Sequence, residues 1–435
     1  MSGPIWRQSI QDQAAAVGRG EITAQQLAAD VRAAIDAAEP DLRAWTELAD
    51  EFPSTVGADT RPLAGVSVAV KDLIDVAGLP TRCGSAVTSA APATADAACV
   101  TRLRELGAVI QGKTVTTEFG YFAPGPTRNP RALTHTPGGS SSGSAAAVGA
   151  GVVPLALGTQ TAGSTTRPAS FCGAAAMVLA HGAASLDGVA GLCESLDSLG
   201  LLTRTIADLA TAYEAFSGDT RPESFAPVGE VHIWEGSGLG EFHPAMTELV
   251  ARLDALVLEA GADLGDLDGD DHVRTLTEDH FTVMAYEAFG VLDPLVAQHR
   301  DRLSTQLVDL AESGRRTSAD DYEAAIIRRD TSFALLRSHL SGTAGSGSVI
   351  IAGPAALGPA PEGLAATGDP ILSRPWQLLG CPVVVVPGAR TEAGLPLGVQ
   401  LIGLPGQEWQ LLEFAARLEP LLGALDPITG TSVVR

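Results

Sequence analysis

Two lysines and two serine-rich stretches carry most of the chemistry this chain could do. Of its 28 basic side chains only Lys71 and Lys113 are lysine, and the rest are arginine. Arginine keeps its proton, whereas a desolvated lysine gives it up, so a persisting lysine is a candidate base. Lys71 closes the apolar run "VSVAVK". The serine stretches are "TPGGSSSGSAAAVGAG" (136–151) and "GTQTAGSTTRP" (158–168). A serine hydroxyl needs a base to become a nucleophile. The one GxSxG match, "GSSSG" (139–143), lies in the first stretch with no strand pattern before it, so no nucleophile elbow is read, and of eight histidines only His135 lies beside either stretch. A Ser/Lys pair is therefore the acyl-transfer arrangement the residues allow. Two blander readings stand beside it: the first stretch has the composition of a flexible linker, and Lys71 has Asp72 next to it as a salt-bridge partner.

Lys113 sits in "GAVIQGKT" (107–114), which matches the phosphate-loop pattern GxxxxGK[ST] letter for letter. The context argues against a nucleotide site. A phosphate loop follows a strand and opens a helix, but here a helical pattern precedes the motif and its middle is apolar and β-prone.

The positioning elements are legible from periodicity. "EITAQQLAADVRAAIDAAEPDL" reads as an amphipathic helix capped at Thr23 and stopped at Pro40. "LAGVSVAVKD" reads as a buried strand, "ATADAACVTRLRELG" as a helix closed by Gly107, and "AVIQGKT" as the next strand. "VVPLALGTQ" is a strand running into the second serine stretch, and "TRTIADLATAYEAFSG" contains a capped helix. The segment 221–340 is mostly helical, followed by a flexible connector "SGTAGSGS" (341–348). "SVIIAGP", "CPVVVVPG" and "GLPLGVQLIG" read as strands and "EWQLLEFAARLEPLL" as a closing helix. Alternating strands and helices give an α/β architecture.

Composition narrows the function classes. With 51 acidic residues and a net charge of −23, the chain lacks the basic face that nucleic acid requires. Its 45% apolar content supports a large core. Five scattered cysteines without CxxC or Cys/His spacing support neither a disulfide framework nor a metal site, so no cofactor and no metal is expected. The start "MSGPIWRQSI" lacks the pattern of a signal peptide, and the run 145–157 is too short and too broken to span a bilayer. A cytoplasmic protein with no membrane partner is the default expectation.

"VAVKDLIDVAGLPTRCGS", "TPGGSSSGSAAAVGAGVVPLALGTQTAGSTTRPASFCG", "SLDSLGLLTRTIADLA" and "GLPLGVQLIG", taken in this order, resemble the amidase signature family over most of the chain. The resemblance implies a single α/β/α domain, residues 1–435, with a large mixed sheet flanked by helices and with 221–340 as a variable substrate-side segment. It implies a Ser–cis-Ser–Lys triad: Ser164 as nucleophile, Ser140 as bridging serine after a cis peptide with Gly139, and Lys71 as base. The backbone N–H groups of Thr161, Ala162, Gly163 and Ser164 would form the oxyanion hole. The implied activity is hydrolysis of a small amide, with esters, carbamates and hydrazides as relatives, and a homodimer is the assembly kept open. Lys113 falls in the family's "GKT" strand, which suggests a structural role.

The chain departs from the usual "GTDTGGSIRxP". Gln160 replaces the acid, Ala162 replaces a glycine, and Thr166 replaces the arginine, with Arg167 one place later. If the acid and arginine normally pair, changing both together strands no charge. "AMVLAHG" (176–182) replaces the usual wall sequence, so Ser141, Gln160, Met177 and His181 are the candidate pocket residues. Three alternatives remain: a non-hydrolytic partner or amidotransferase subunit with this fold, an acyl transferase to an amine, and the nucleotide hydrolase suggested by "GAVIQGKT".

Overall fold

The computed structural model describes residues 3–52, 58–223, 226–265, 267, 270–340 and 347–423. In chain order the elements begin with helices α1 (Ile10–Gly18) and α2 (Ala24–Leu42). Strands β1 (Trp45–Leu48) and β2 (Ser67–Lys71), helix α3 (Ala98–Glu105) and strand β3 (Val109–Thr114) follow. Next come α4 (Ser142–Gly149), β4 (Leu155–Gln160), α5 (Thr166–Cys172), β5 (Ala175–Val178), β6 (Ser198–Thr203) and α6 (Ile206–Ser217). The segment read as mostly helical holds β7 (Val228–Ile233), α7 (Pro244–Val250), α8 (Leu253–Glu259) and β8 (Asp263–Gly265), then α9 (Asp270–His299), α10 (Thr305–Arg316) and α11 (Ala319–Leu340). The chain then forms β9 (Ser348–Pro354), α12 (Arg374–Leu378), β10 (Val383–Arg390), β11 (Pro396–Ile402) and α13 (Glu408–Leu422).

The eleven strands of the described residues form one mixed sheet, ordered β1-β3-β2-β4-β6-β5-β10-β11-β9-β7-β8. The stretch 221–340 thus differs from its reading: β7 and β8 extend the sheet at its far edge, parallel to β9, and α9–α11 alone form a helical cover. The connector read at 341–348 falls largely at 341–346, outside the described residues; Ser348 already opens β9.

Side-chain size along the central strands decides what packs on each face. In β2 and β4 large residues alternate with alanine: Val68, Ala69, Val70 and Leu155, Ala156, Leu157. Successive strand residues face opposite ways, so the large ones share one face. There they join Val100, Leu103, Leu209, Leu253, Phe414 and Leu418 from α3, α6, α8 and α13. The alanine face packs Ala145–Val148 of α4 and Ala169 and Cys172 of α5 against Ala69, Ala156 and Ala176. Small on small lets α4 and α5 approach the sheet closely, and these are the helices that follow the two serine stretches. Gly143 shows how closely: a Cβ there would lie 2.1 Å from the carbonyl oxygen of Ala44.

Helix α2 starts as read, with Thr23 and Gln26 forming a reciprocal capping box. It does not stop at Pro40. Proline there removes one N–H from the last turn, where the loss is tolerated, and the helix runs on to Leu42. Arg43, at φ 52°, ends it, donating its N–H to Glu39 O, while the Glu39 carboxylate accepts from the N–H groups of Ala44 and Trp45. All five cysteines are buried and unbridged, and burial pushes the thiols of Cys83, Cys99 and Cys381 up to about 12.

The two lysines lie on adjacent strands, Val70 pairing with Lys113 across β2 and β3. Lys113 is fully buried and inside a strand, so "GAVIQGKT" is no phosphate loop. Its Nζ donates to Asp72 Oδ1 at 2.8 Å, to Thr81 Oγ1 at 3.0 Å and to Pro80 O at 3.3 Å. Asp72 is therefore the partner of Lys113 and not of Lys71. Breaking a buried pair leaves an uncompensated charge. Lys113→Met is expected to lower unfolding stability by about 3–5 kcal/mol, measured by denaturant titration; an unchanged transition midpoint would remove the structural role.

Candidate active site

The end of β2 brings Lys71 to the first serine loop. Its Nζ lies 2.7 Å from Ser140 Oγ, 2.8 Å from Thr159 Oγ1 and 3.3 Å from Thr159 O. Lys71 is completely buried and touches no carboxylate among the described residues. Desolvation brings its pKa down from 10.5 to about 7, opposed by the more distant charge of Asp197.

The Gly139–Ser140 peptide is cis. Gly138, at φ 83°, turns the chain just before it, where a Cβ would lie 2.9 Å from Pro168 Cα. The loop is pinned by Ser142 Oγ donating to Gly138 O at 2.8 Å and by the Ser142 N–H donating to Ser140 O at 2.8 Å. The second loop, 161–165, follows β4. It is tied to the first by the Ser141 N–H, which donates to Ser164 O at 3.1 Å. Ser140 and Ser164 line one small pocket together with Thr161, Ala162 and Gly163. Among the described residues the N–H groups of Ala162, Gly163 and Ser164 have no backbone carbonyl partner, which leaves them available to an incoming oxygen. Ala162 is not among the described non-glycine residues at positive φ, so the turn does not require glycine there.

Three side chains hold the second loop. Gln160 Oε1 accepts from the N–H groups of Thr165 at 2.9 Å and Thr166 at 3.0 Å and from Thr166 Oγ1 at 3.1 Å. Its Nε2 donates to Gln377 Oε1 at 3.0 Å. Two of the departures from the family pattern, Gln160 and Thr166, thus contact each other as a neutral pair. Asp197 accepts from Thr161 Oγ1 at 2.5 Å through Oδ1, and from the N–H groups of Leu192 and Cys193 through Oδ2. Burial raises its pKa above the usual carboxylate value. From the cover, His280 Nε2 donates to Thr161 O at 2.8 Å; burial and Arg374 hold this imidazole neutral, with a pKa of about 3.

The pocket residues expected from the sequence fare differently from the triad positions. Gln160 and Ser141 are buried beneath the loops, Ser141 Oγ donating to Thr159 O at 3.3 Å. They build the site without lining it. Met177 has zero exposure: Ala176 takes the face of α4 and α5, so Met177, the next residue, points to the opposite core beside Leu201 and Val384. His181 is exposed beyond the end of β5, its Nε2 donating to Glu194 O at 2.9 Å, and lines a separate groove with Arg102 and Tyr213. The actual wall adds Tyr121, Phe122, Leu192, Met284, Thr367, Pro370, Arg167 and Arg374. Tyr121 and Phe122 come from a loop with no periodic signal, and Met284 and Arg374 from elements distant in sequence, so spacing could not join them. Asp197 stands within the quoted "SLDSLG" and could have been found there. Size does not identify the site either. Two clefts of about 810 and 720 Å³ lie elsewhere, while this pocket leaves about 20 Å³ open.

An α/β domain with a large mixed sheet and a buried lysine beneath two serine loops is the class of protein this geometry defines. The Amidase family model matches residues 15–412. AmiA2 of Mycobacterium tuberculosis, a protein named as an amidase, is 33% identical over 92% of this chain and 90% of its own length. A glutamyl-tRNA(Gln) amidotransferase subunit of Rhodopirellula baltica is 29% identical over 90% of this chain and 92% of its own length. Among solved structures, a chain from a complex described as revealing the origins of an s-triazine catabolic enzyme superposes with a TM-score of 0.84. It is 26% identical and covers 96% of this chain and 99% of that one. The chain belongs to the amidase family, and its family and structural neighbours support an amide-hydrolysing enzyme.

Gln160 satisfies three donors at once, and removing a buried acceptor costs about 1–3 kcal/mol. Gln160→Leu is expected to lower the melting temperature and to slow any reaction at Ser164. Unchanged melting would show that the loop holds its shape without this residue.

Proposed function

We propose that this chain hydrolyses a small carboxamide through an acyl-enzyme on Ser164, with Ser140 and Lys71 relaying the proton. The observation that carries the reading is the 2.7 Å contact between Ser140 Oγ and a fully buried Lys71 whose pKa is lowered to about 7. A neutral amine has two N–H donors and one lone pair. It donates to Thr159 O and Thr159 Oγ1 and accepts the Ser140 hydroxyl proton, so all three contacts are satisfied without a counter-ion.

In the first half-reaction Ser140 passes its proton to Lys71 and takes that of Ser164, whose oxygen attacks the amide carbon. The negative oxygen that forms rests on the N–H groups of Thr161, Ala162, Gly163 and Ser164, donors worth roughly 3 kcal/mol each in such holes. The C–N bond then breaks and the amine leaves with the proton returned through Ser140. Water enters by the same relay, cleaves the ester and releases the acid. Esters, carbamates and hydrazides would follow the same course.

A fluorophosphonate supplies the test without a substrate guess. A single adduct on Ser164, absent in Lys71→Ala, is the expected result; an adduct on Ser140 alone would reverse the roles of the serines. The labelling rate is also expected to depend on pH in one direction. Protonated Lys71 cannot accept a proton, so the rate should fall about tenfold per unit below about pH 7 and level off above it. A flat profile from about pH 5 to 9 would eliminate Lys71 as the base.

The likeness to an amidotransferase subunit supports a second reading, in which the amine released serves a partner protein. Inactivity in isolation, restored by a partner, would favour it.

A further inference from the structure

The pocket holds two cations that the relay does not use. Arg167, three residues beyond Ser164 in the first turn of α5, is 3% exposed. Its Nη2 donates to Gly139 O at 2.6 Å and to Thr367 Oγ1 at 3.4 Å. Its Nε and Nη1 are buried with no protein partner among the described residues. Arg374, at the start of α12, lines the same pocket. Its Nε is likewise buried and unpartnered, and its guanidinium carbon lies 5.9 Å from the ring centroid of Phe281.

Neither arginine forms an ion pair among the described residues, although acidic side chains outnumber basic ones 51 to 28. The carboxylate acting on Arg167 is Asp369, beyond salt-bridge reach, whose Oδ1 instead accepts the Ile371 N–H. Desolvation first, then the nearby Arg374, lowers the Arg167 pKa to about 9, against the pull of Asp369. Arg167 therefore remains charged at neutral pH. A buried cation facing a second cation is unfavourable unless an anion joins them. Planar guanidinium forks with free N–H groups suit a carboxylate.

We propose that Arg167 and Arg374 form an anion subsite, which selects amides bearing a carboxylate close to the scissile bond. The step from binding to selection rests on the reading of Ser164 as the acylated residue; the binding itself does not. The apolar wall of Tyr121, Phe122, Met284 and Pro370 would enclose the short chain between the carboxylate and the amide.

The test separates the two claims. Ser164→Ala protein is titrated calorimetrically with succinate and with neutral butanediamide. Succinate is expected to bind at least tenfold more tightly, and Arg374→Gln in the same background to remove that preference. Arg167→Lys is the second variant, keeping charge but not the fork, and should weaken succinate at least threefold. Wild-type enzyme is then given succinamate against butanamide, and N-butanoylglycine against N-ethylbutanamide. An anionic preference of at least tenfold in kcat/KM in one pair tells whether the carboxylate belongs to the acyl or the amine side. Equal binding of succinate and butanediamide, or an Arg374→Gln protein with its preference intact, overturns the subsite. Turnover without charge preference also overturns it while leaving the hydrolase standing. Anion binding without turnover of any amide does the reverse.

Discussion

Lys71 is a lysine sealed at the end of a central strand with no carboxylate in contact among the described residues, and the arrangement of the site follows from that condition. A buried ammonium needs a counter-charge, and one stands next in sequence at Asp72. The fold gives that charge to Lys113 on the neighbouring strand, at 2.8 Å. The chain's two lysines thus divide the work: one neutralises the acid so that the other can go without it. Lys71 is left with hydroxyls and a carbonyl, partners that a neutral amine satisfies as well as a charged one.

Geometry around that lysine depends on size alternation in the sheet. Alanines at 69, 156 and 176 create the flat face on which α4 and α5 lie, and the loops entering those helices carry Ser140 and Ser164. Larger residues on this face would lift the helices and with them both hydroxyls. The valines and leucines at alternate positions fill the opposite core, where they stabilise the sheet without restricting the site. Gln160 and Asp197 then fix the second loop through its N–H groups and the Thr161 hydroxyl, and so set the direction of the free N–H groups.

Strands β2, β3, β4, β9, β10 and β11, helices α2, α3, α6 and α13 and the place of the two serine loops can be read from the sequence because each rests on a local pattern, whereas β1, β5 and β6 and the short helices α4, α5 and α12 are not read from it. Period-two alternation marks β2 and β4, and Thr23 and Thr205 cap their helices. The cover stretch misleads because β7 and β8, the last two strands of the sheet, have mixed burial without alternation, and β7 pairs with β9 across the whole stretch, Val228 opposite Ser348. The pocket is harder still. An unusual local sequence singles out Met177 and His181, but strand parity turns one into the core and a turn carries the other to the surface. Arg374, Met284 and His280 reach the site only through tertiary packing. The resemblance to a family supplies the roles that spacing alone leaves open.

The hydroxyls and Lys71 stand on the sheet and its adjoining loops, while His280 and Met284 come from the helical cover. The cover packs on the sheet side through a shared apolar core, with Leu276, Val283 and Leu307 beside Val178, Val383 and Ile402, and through bonds that include His280 to Thr161 O, Glu287 to the Ser195 N–H, and the Ser304 N–H to Glu118. The cover's interior is therefore part of the sheet's own core, and a substitution there acts on both at once. One wall is thus shared between two parts of the chain, Thr161 and Leu192 from the sheet side and Met284 from the cover, and a change in either part reshapes it.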